Sequence, residues 1–148
     1  PKVNMRTGKV IGVEALIRWQ HPQKGLLAPG AFLPIIENHV LSIELGEWVI
    51  ATGLSQIVQW KEMGLSLPVS VNVGALQLQQ SNFSERLAIL LNIHPESIAP
   101  FLELEVLETS ALGDIAQISN VIHTCQALGV SFALDDFGTG YSSLSYLK

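Results

Sequence analysis

The stretch Ser131-Phe-Ala-Leu-Asp-Asp-Phe-Gly-Thr-Gly-Tyr-Ser-Ser143 joins a short apolar run to a glycine-rich loop. Residues 132–134 predict a short buried strand, and Asp135 and Asp136 stand where that strand should end. The two glycines that follow allow a sharp turn and a close approach to a ligand. Adjacent carboxylates repel each other unless a cation, a proton or a positive side chain lies between them, so the pair indicates a divalent metal site. A solvated Asp-Asp turn before a helix cap is the alternative.

Upstream of this stretch, strand patterns alternate with apolar residues at helical spacing. The predicted strands cover residues 10–18, 67–74 and 101–107, and the helical patterns cover residues 43–64, 83–91 and 115–125. A turn at residues 6–8 predicts an antiparallel partner for the first strand at residues 1–5. Strands that alternate with helices are typical of βαβ units, so we expect an α/β fold with a parallel sheet.

The spacing of polar residues at the predicted strand ends is regular. Asn72 and Glu105 are 33 residues apart, and Glu105 and Asp135 are 30 residues apart, which is about one βα unit for each step. Glu14 has the same position in the earlier strand, before a longer helical insert. In a (β/α) barrel the carboxyl ends of the strands converge on one site. An open sheet covered by helices is the alternative, and either fold brings these side chains to one edge.

The chemistry of this set favours a hard cation. Four carboxylates and one amide form an all-oxygen group suited to Mg²⁺, Mn²⁺ or Ca²⁺, and two metals with a bridging aspartate would use it best, as in phosphodiester hydrolysis. Arg18 is predicted to hold a phosphate through its planar guanidinium. Each residue also has a structural alternative: Glu14 paired with Arg18, Asn72 capping a loop, or Glu105 in an ion pair inside a barrel.

Composition excludes several other functions. A net charge of −5 argues against a nucleic acid polymer or an anionic membrane surface as the main partner. Cys125 is the only cysteine, so an internal disulfide is excluded and a reducing compartment, the cytoplasm, is favoured. No apolar run reaches the about 18 residues of a membrane span, so we expect no membrane insertion within this segment. A cytoplasmic part of a membrane-anchored protein is compatible with the same pattern.

Four motifs together resemble those of the EAL domain family, the cyclic di-GMP phosphodiesterases of bacterial signalling. They are Glu14-Ala-Leu-Ile-Arg-Trp19, Val69-Ser-Val-Asn-Val73, Leu104-Glu-Val-Leu-Glu108 and Leu134-Asp-Asp-Phe-Gly-Thr-Gly-Tyr-Ser-Ser143, in the order that the family has them. The resemblance covers essentially the whole chain. It implies a TIM-like barrel with an antiparallel first strand, and hydrolysis of cyclic di-GMP to linear pGpG that depends on Mg²⁺ or Mn²⁺.

The resemblance also implies roles for individual residues. Arg18 and Leu16 would contact the substrate, and Glu108 would anchor the loop at residues 137–143, which in the family couples substrate, metal and dimerisation. Glu14, Asp135 and Asp136 would be catalytic as well as metal-binding. The implied metal ligands are Glu14, Asn72, Glu105, Asp135 and Asp136.

The chain departs from the family pattern in a few places. Leu107 and Gly74 stand where the family commonly has threonine and serine, and residues 36–40 are less acidic than usual. The family's substrate-contacting glutamine would precede Pro1, and its catalytic lysine and last active-site glutamate would follow Lys148. We therefore expect residues 1–148 to be a single truncated domain, an incomplete barrel with about five of the eight strands.

An open strand edge predicts either a fragment of a longer chain or completion by another copy, as a homodimer. Three functions then remain: a phosphodiesterase, a non-catalytic module that binds cyclic di-GMP or metal, and a structural remnant that binds neither.

Overall fold

Five strands form one sheet that curls into half of a barrel in the computed structural model, which describes residues 1–94, 98–107 and 115–135. The strands of the described chain are β1 Lys2–Val3, β2 Val10–Ala15, β3 Trp19–His21, β4 Gly25–Leu27, β5 Val69–Val73, β6 Leu102–Leu107 and β7 Ser131–Asp135. The α-helices are α1 Leu33–Ile36, α2 Leu41–Glu62, α3 Ala75–Leu78, α4 Phe83–Asn92 and α5 Ile115–Ala127, with 3₁₀ turns at Pro29–Ala31 and Ala99–Phe101. No helix among the described residues is long and apolar enough to cross a membrane.

The order of strands in the main sheet is β1-β2-β5-β6-β7. The β1–β2 pair is antiparallel, while β2–β5, β5–β6 and β6–β7 are parallel. The predicted α/β half-barrel with an antiparallel first strand is therefore confirmed. Because these three pairs are parallel, the carboxyl ends of β2, β5, β6 and β7 meet at one edge.

Alternation along β5 and β6 separates the core from the barrel interior. Val71 and Leu104 are fully buried on the helix-facing side of the sheet, where α2 contributes Leu54. Polar residues occupy the alternate positions, and they are Ser70 and Asn72 on β5 and Glu103 and Glu105 on β6. A period of two thus gives these central strands one apolar and one polar face.

Glycines follow the ends of two of the helices. Gly64 follows α2 with φ +78°, and its N–H donates to the carbonyl of Lys61 at 2.9 Å. Gly129 follows α5 with φ +94°. Both values lie in the left-handed region that residues with a Cβ adopt at a cost, so glycine stops each helix there.

Three local features complete the description of the fold. The first is the β3–β4 hairpin, whose register pairs Trp19 with Leu27. The second is the start of α4, where Asn82 is the N-cap and makes no side-chain cap hydrogen bond. The predicted buried strand β7 is only partly buried: Leu134 keeps 38% exposure because β7 lies at one end of the described sheet.

An ion pair connects α2 to α4. Arg86 donates from Nε to one oxygen of Glu47 at 2.7 Å and from Nη2 to the other at 2.5 Å. This bidentate bond lowers the pKa of the Glu47 carboxyl from its ordinary value of 4.5, against an opposing effect of burial. The pair is partly exposed to solvent, which screens the two charges, so we expect its contribution to stability to be small.

The Glu47–Arg86 pair predicts a pH dependence. Since the folded pKa lies below the unfolded value, the stabilisation is complete above about pH 4.5 and is lost as the pH falls through the folded pKa. Glu47→Gln should therefore flatten the decline of the unfolding free energy below pH 4.5. Chemical denaturation at several pH values measures this, with Glu62→Gln on the same helix as the control. Equal slopes for the two variants would contradict the assignment.

Candidate functional site

The sequence-predicted residues at the strand ends lie along the edge where the parallel strands finish. Glu14 is the penultimate residue of β2, and Asn72 is the penultimate residue of β5. Glu105 lies two residues before the end of β6, and Asp135 is the last residue of β7. The spacing therefore does place them on four neighbouring strands, near the carboxyl end of each.

Glu14 and Asn72 are in direct contact. The Asn72 amide donates from Nδ2 to Oε1 of Glu14 at 3.0 Å, across 58 residues of sequence. Both side chains are exposed. The structural alternative named for Glu14 was an ion pair with Arg18. The described partner of Glu14 is instead Asn72. The bond orients the Asn72 side-chain oxygen and the free lone pairs of the carboxylate at one place.

Glu105 lies beside Asn72 on the next strand. The two residues are paired in the β5–β6 register, and Glu105 is only 7% exposed. Lys2 on β1 reaches this buried carboxylate and forms ion pairs with both Glu103 and Glu105. Ser70 donates its hydroxyl to the same oxygen of Glu103 at 2.6 Å. The structural alternative for Glu105, an ion pair inside the barrel, is therefore present in the structure, with Lys2 as the partner.

Hydrogen bonding decides the charge states in this cluster. Burial lowers the pKa of Lys2, but hydrogen bonds to Glu103 and Glu105 outweigh that effect and raise the pKa above its ordinary value. Burial raises the pKa of Glu103, and the bonds from Lys2 and Ser70 outweigh it and lower the pKa. Lys2 is therefore an ammonium and Glu103 a carboxylate near neutral pH.

The donor set at this edge fits a hard cation in its chemistry. Glu14, Asn72 and Glu105 offer only oxygen ligands toward the cation, as Mg²⁺ and Mn²⁺ prefer. The backbone of Asp135 reaches the same edge, where it pairs with Leu107. Within residues 1–94, 98–107 and 115–135 there is no group of three or more His, Cys, Asp or Glu side chains placed to hold a metal ion. Asp136, Glu108 and the loop at residues 137–143 lie outside the described residues, as does the side chain of Asp135.

The two predicted substrate-binding residues follow β2. Leu16 is 52% exposed directly after the strand. Arg18 is exposed, and its Nη1 donates to the carbonyl of Ile17 at 2.8 Å and more weakly to that of Leu16. A groove of about 470 Å³ begins here. Its lining is mainly apolar and consists of Ile17, Arg18, Trp19, Phe32, Ile35, Ile36, Leu45 and Trp48.

The sequence-based prediction did not assign Lys2, Ser70 or Glu103 to this site. Lys2 lies on β1 and its partners on β6, with β2 and β5 between them in the sheet. That contact depends on the curl of the sheet, which no local pattern encodes. The sequence contained only a weaker signal for this contact. Lys2 is a cation in the first strand, and Glu103 and Glu105 lie two residues apart on β6, so they share one face of that strand.

The fold and this edge together define a class of protein: an α/β half-barrel that gathers carboxylate and amide oxygens at the carboxyl ends of its parallel strands. The chain belongs to the EAL domain family, whose model matches residues 1–148. The resemblance drawn from the four motifs is thereby confirmed.

Curated relatives match the chain over its whole length. The bifunctional diguanylate cyclase/cyclic di-GMP phosphodiesterase MucR of Pseudomonas aeruginosa is 42% identical over 150 residues, which is 100% of this chain and 22% of MucR. A cyclic di-GMP phosphodiesterase of the same organism is 36% identical over 148 residues, 100% of this chain and 25% of that protein. The chain thus spans about a quarter of the length of these relatives.

A solved structure agrees with the fold in detail. The phosphodiesterase of MucR from Pseudomonas aeruginosa, in complex with cyclic di-GMP, superposes with a TM-score of 0.92 at 40% identity. The match covers 99% of this chain and 60% of that chain. The half-barrel therefore has the same backbone course as part of a domain that binds cyclic di-GMP.

Proposed function

We propose that residues 1–148 are part of a domain that hydrolyses cyclic di-GMP to linear pGpG with the help of Mg²⁺ or Mn²⁺. The observation that carries the proposal is the convergence of Glu14, Asn72 and Glu105 at one edge, with the end of β7 beside them. Relatives named cyclic di-GMP phosphodiesterases and a related structure in complex with cyclic di-GMP support it.

The reaction needs a metal site, and this chain supplies oxygen ligands for one. Glu14, Asn72 and Glu105 would hold the cations together with Asp135 and Asp136, and Glu14, Asp135 and Asp136 would be the catalytic residues among them. When bound, such cations polarise the phosphodiester and make a water molecule more acidic. The Asn72–Glu14 hydrogen bond keeps both side chains in place before a ligand binds, which lowers the ordering cost.

Arg18 and Leu16 would position the substrate beside this site. Leu16 is exposed at the end of β2, two residues beyond Glu14, so it lies where a base or ribose could pack. Arg18 presents an exposed guanidinium, which suits a phosphate oxygen. In the reaction, water adds to phosphorus, one phosphorus–oxygen bond to ribose breaks, and the ribose oxygen takes the proton. Glu108 would anchor the loop at residues 137–143, as the family resemblance implies.

Incubation with cyclic di-GMP separates the proposal from its alternatives. The protein is supplied with Mn²⁺, with Mg²⁺ or with a chelator, and products are separated by chromatography. Formation of pGpG that requires the metal supports the proposal. Binding of cyclic di-GMP without product would show a non-catalytic module, and the lack of both would show a structural remnant.

Two further expectations are part of the proposal. A cytoplasmic location follows from the single cysteine, Cys125, which is buried and free. Association with a second copy follows from the family's coupling of its active-site loop to dimerisation. Light scattering with and without cyclic di-GMP measures the second expectation, since a monomer under both conditions would contradict it.

A further inference from the structure

Lys2 crosses the interior of the half-barrel. It lies on β1, where its backbone pairs with Gly12 of β2, and its ammonium reaches Glu103 and Glu105 on β6. The stem of Lys2 passes over Gly12, since a Cβ built at that glycine would lie 3.9 Å from Cδ of Lys2. The antiparallel strand β1, at one end of the described main sheet, therefore places the Lys2 ammonium against β6, three strands away on the interior face of the sheet.

The carboxylates on this face need a counter-charge. Glu105 is 7% exposed, and Glu103 lies two residues away on the same face of β6. Two carboxylates so close together repel each other, and a buried one without a partner is costly. Glu103, Glu105 and Glu14 carry three negative charges on this face, and Lys2 carries one positive charge. These four residues thus leave an excess of about two negative charges, which one divalent cation would balance.

We propose that Lys2 is a built-in counter-cation of the Glu103–Glu105 pair, which stabilises the fold without metal and competes with a divalent cation for Glu105. The inference rests on the proposed function in one respect, the assignment of Glu105 as a metal ligand. Lys2 contacts Oε1 of Glu105, and a divalent cation at that oxygen would be repelled by the ammonium. Lys2 is thus a positioning residue that acts through Glu105.

Metal binding must therefore displace or weaken the Lys2–Glu105 contact. The Lys2 ammonium can move away from Glu105 and remain paired with Glu103, because it already contacts Oε1 of Glu103. The Ser70 hydroxyl donates to the same Oε1 atom and holds the Glu103 carboxylate in place. The ammonium then stays neutralised while Glu105 turns to the metal. Removal of the Lys2 charge should make the stability of the fold more dependent on metal and should raise the metal affinity. Removal of the Glu103 charge should leave the ammonium paired with Glu105 alone and should lower the metal affinity.

The test compares four variants of the full-length protein: Lys2→Met, Lys2→Arg, Glu103→Gln and Lys9→Met. Lys9 lies in the exposed β1–β2 turn, so Lys9→Met makes the same change of charge away from the cluster. Calorimetric titration with Mn²⁺ alone gives the dissociation constant, and thermal unfolding in chelator and in Mn²⁺ gives the Tm. Neither readout requires activity.

We expect Lys2→Met to lower the Tm in chelator, to gain more Tm than the unmodified protein on addition of Mn²⁺, and to bind Mn²⁺ about fivefold or more tightly. Lys2→Arg should restore the Tm in chelator, Glu103→Gln should bind Mn²⁺ more weakly, and Lys9→Met should change neither quantity. Unchanged or weaker Mn²⁺ binding by Lys2→Met would overturn the proposal. If Lys2→Met folds under neither condition, unchanged affinity in Glu103→Gln would overturn it.

The failure of this inference and that of the proposed function give different results. If the unmodified protein binds no Mn²⁺, Glu105 is not a metal ligand. The proposed competition between Lys2 and the metal is then also wrong. The Tm difference between Lys2→Met and Lys9→Met in chelator then still tests Lys2 as a counter-cation. If the unmodified protein binds Mn²⁺ and hydrolyses cyclic di-GMP, but Lys2→Met matches it in every readout, only the inference on Lys2 is wrong.

Discussion

Glu14→Gln is expected to lower kcat for cyclic di-GMP hydrolysis by at least about 100-fold, since even the outer partners of metal ligands typically account for 10- to 100-fold effects. The amide keeps the size of the side chain and the contact with Asn72 at 3.0 Å, but it removes the negative charge that attracts the cation. Glu14 is exposed, so its replacement leaves no buried polar group without a partner. The Tm in chelator should therefore stay close to that of the unmodified protein.

Steady-state hydrolysis in saturating Mn²⁺ and thermal unfolding in chelator measure these two effects. Glu62→Gln, at the exposed end of α2, is the matched control and should retain full activity. Activity of Glu14→Gln within a few fold of the control would show that Glu14 is not a metal ligand. A Tm that decreases strongly in parallel with activity would indicate a structural role instead.

Leu104→Ala is expected to lower the free energy of unfolding by about 2–5 kcal/mol, the usual range for removing a leucine side chain from a packed core. Leu104 is fully buried on β6, the strand that also carries Glu105. It pairs with Val71 on β5 and with Phe132 on β7, so the cavity would lie between the sheet and its helices. The substitution weakens the strand that positions the metal ligand.

Urea denaturation followed by circular dichroism measures the change. Leu26→Ala is the control, because Leu26 on β4 is 65% exposed and its truncation should change stability by less than about 0.5 kcal/mol. A loss below about 1 kcal/mol for Leu104→Ala would contradict the packing described for the sheet. Equal losses for the two variants would do so as well.

The parts of the fold that follow from local periodicity are predictable from the sequence. The alternation of Val69, Val71 and Val73 with Ser70 and Asn72 is enough to predict β5 and its two faces. The glycines that end α2 and α5 are identifiable because a helix rarely continues past a residue with a positive φ. The β3–β4 hairpin is not predictable in this way, since each of its strands has only three residues and too little pattern to detect.

The sequence was sufficient to predict which residues lie at the candidate site, but not which of them contact each other. Regular spacing of Asn72, Glu105 and Asp135 located the strand ends, and the structure places those residues on adjacent strands. The Glu14–Asn72 bond and the Lys2 ion pairs join residues separated by 58 to 103 positions. Such contacts depend on strand register and on the curl of the sheet, which are properties of the whole chain.

Anomalous diffraction from crystals of the protein soaked in Mn²⁺ tests the central claim most directly. The claim predicts an anomalous peak at the carboxyl edge of the parallel strands, with oxygens of Glu14, Asn72 and Glu105 within about 2.5 Å of a manganese ion. A fully occupied manganese elsewhere, or no peak at this edge under conditions that support hydrolysis, would contradict it.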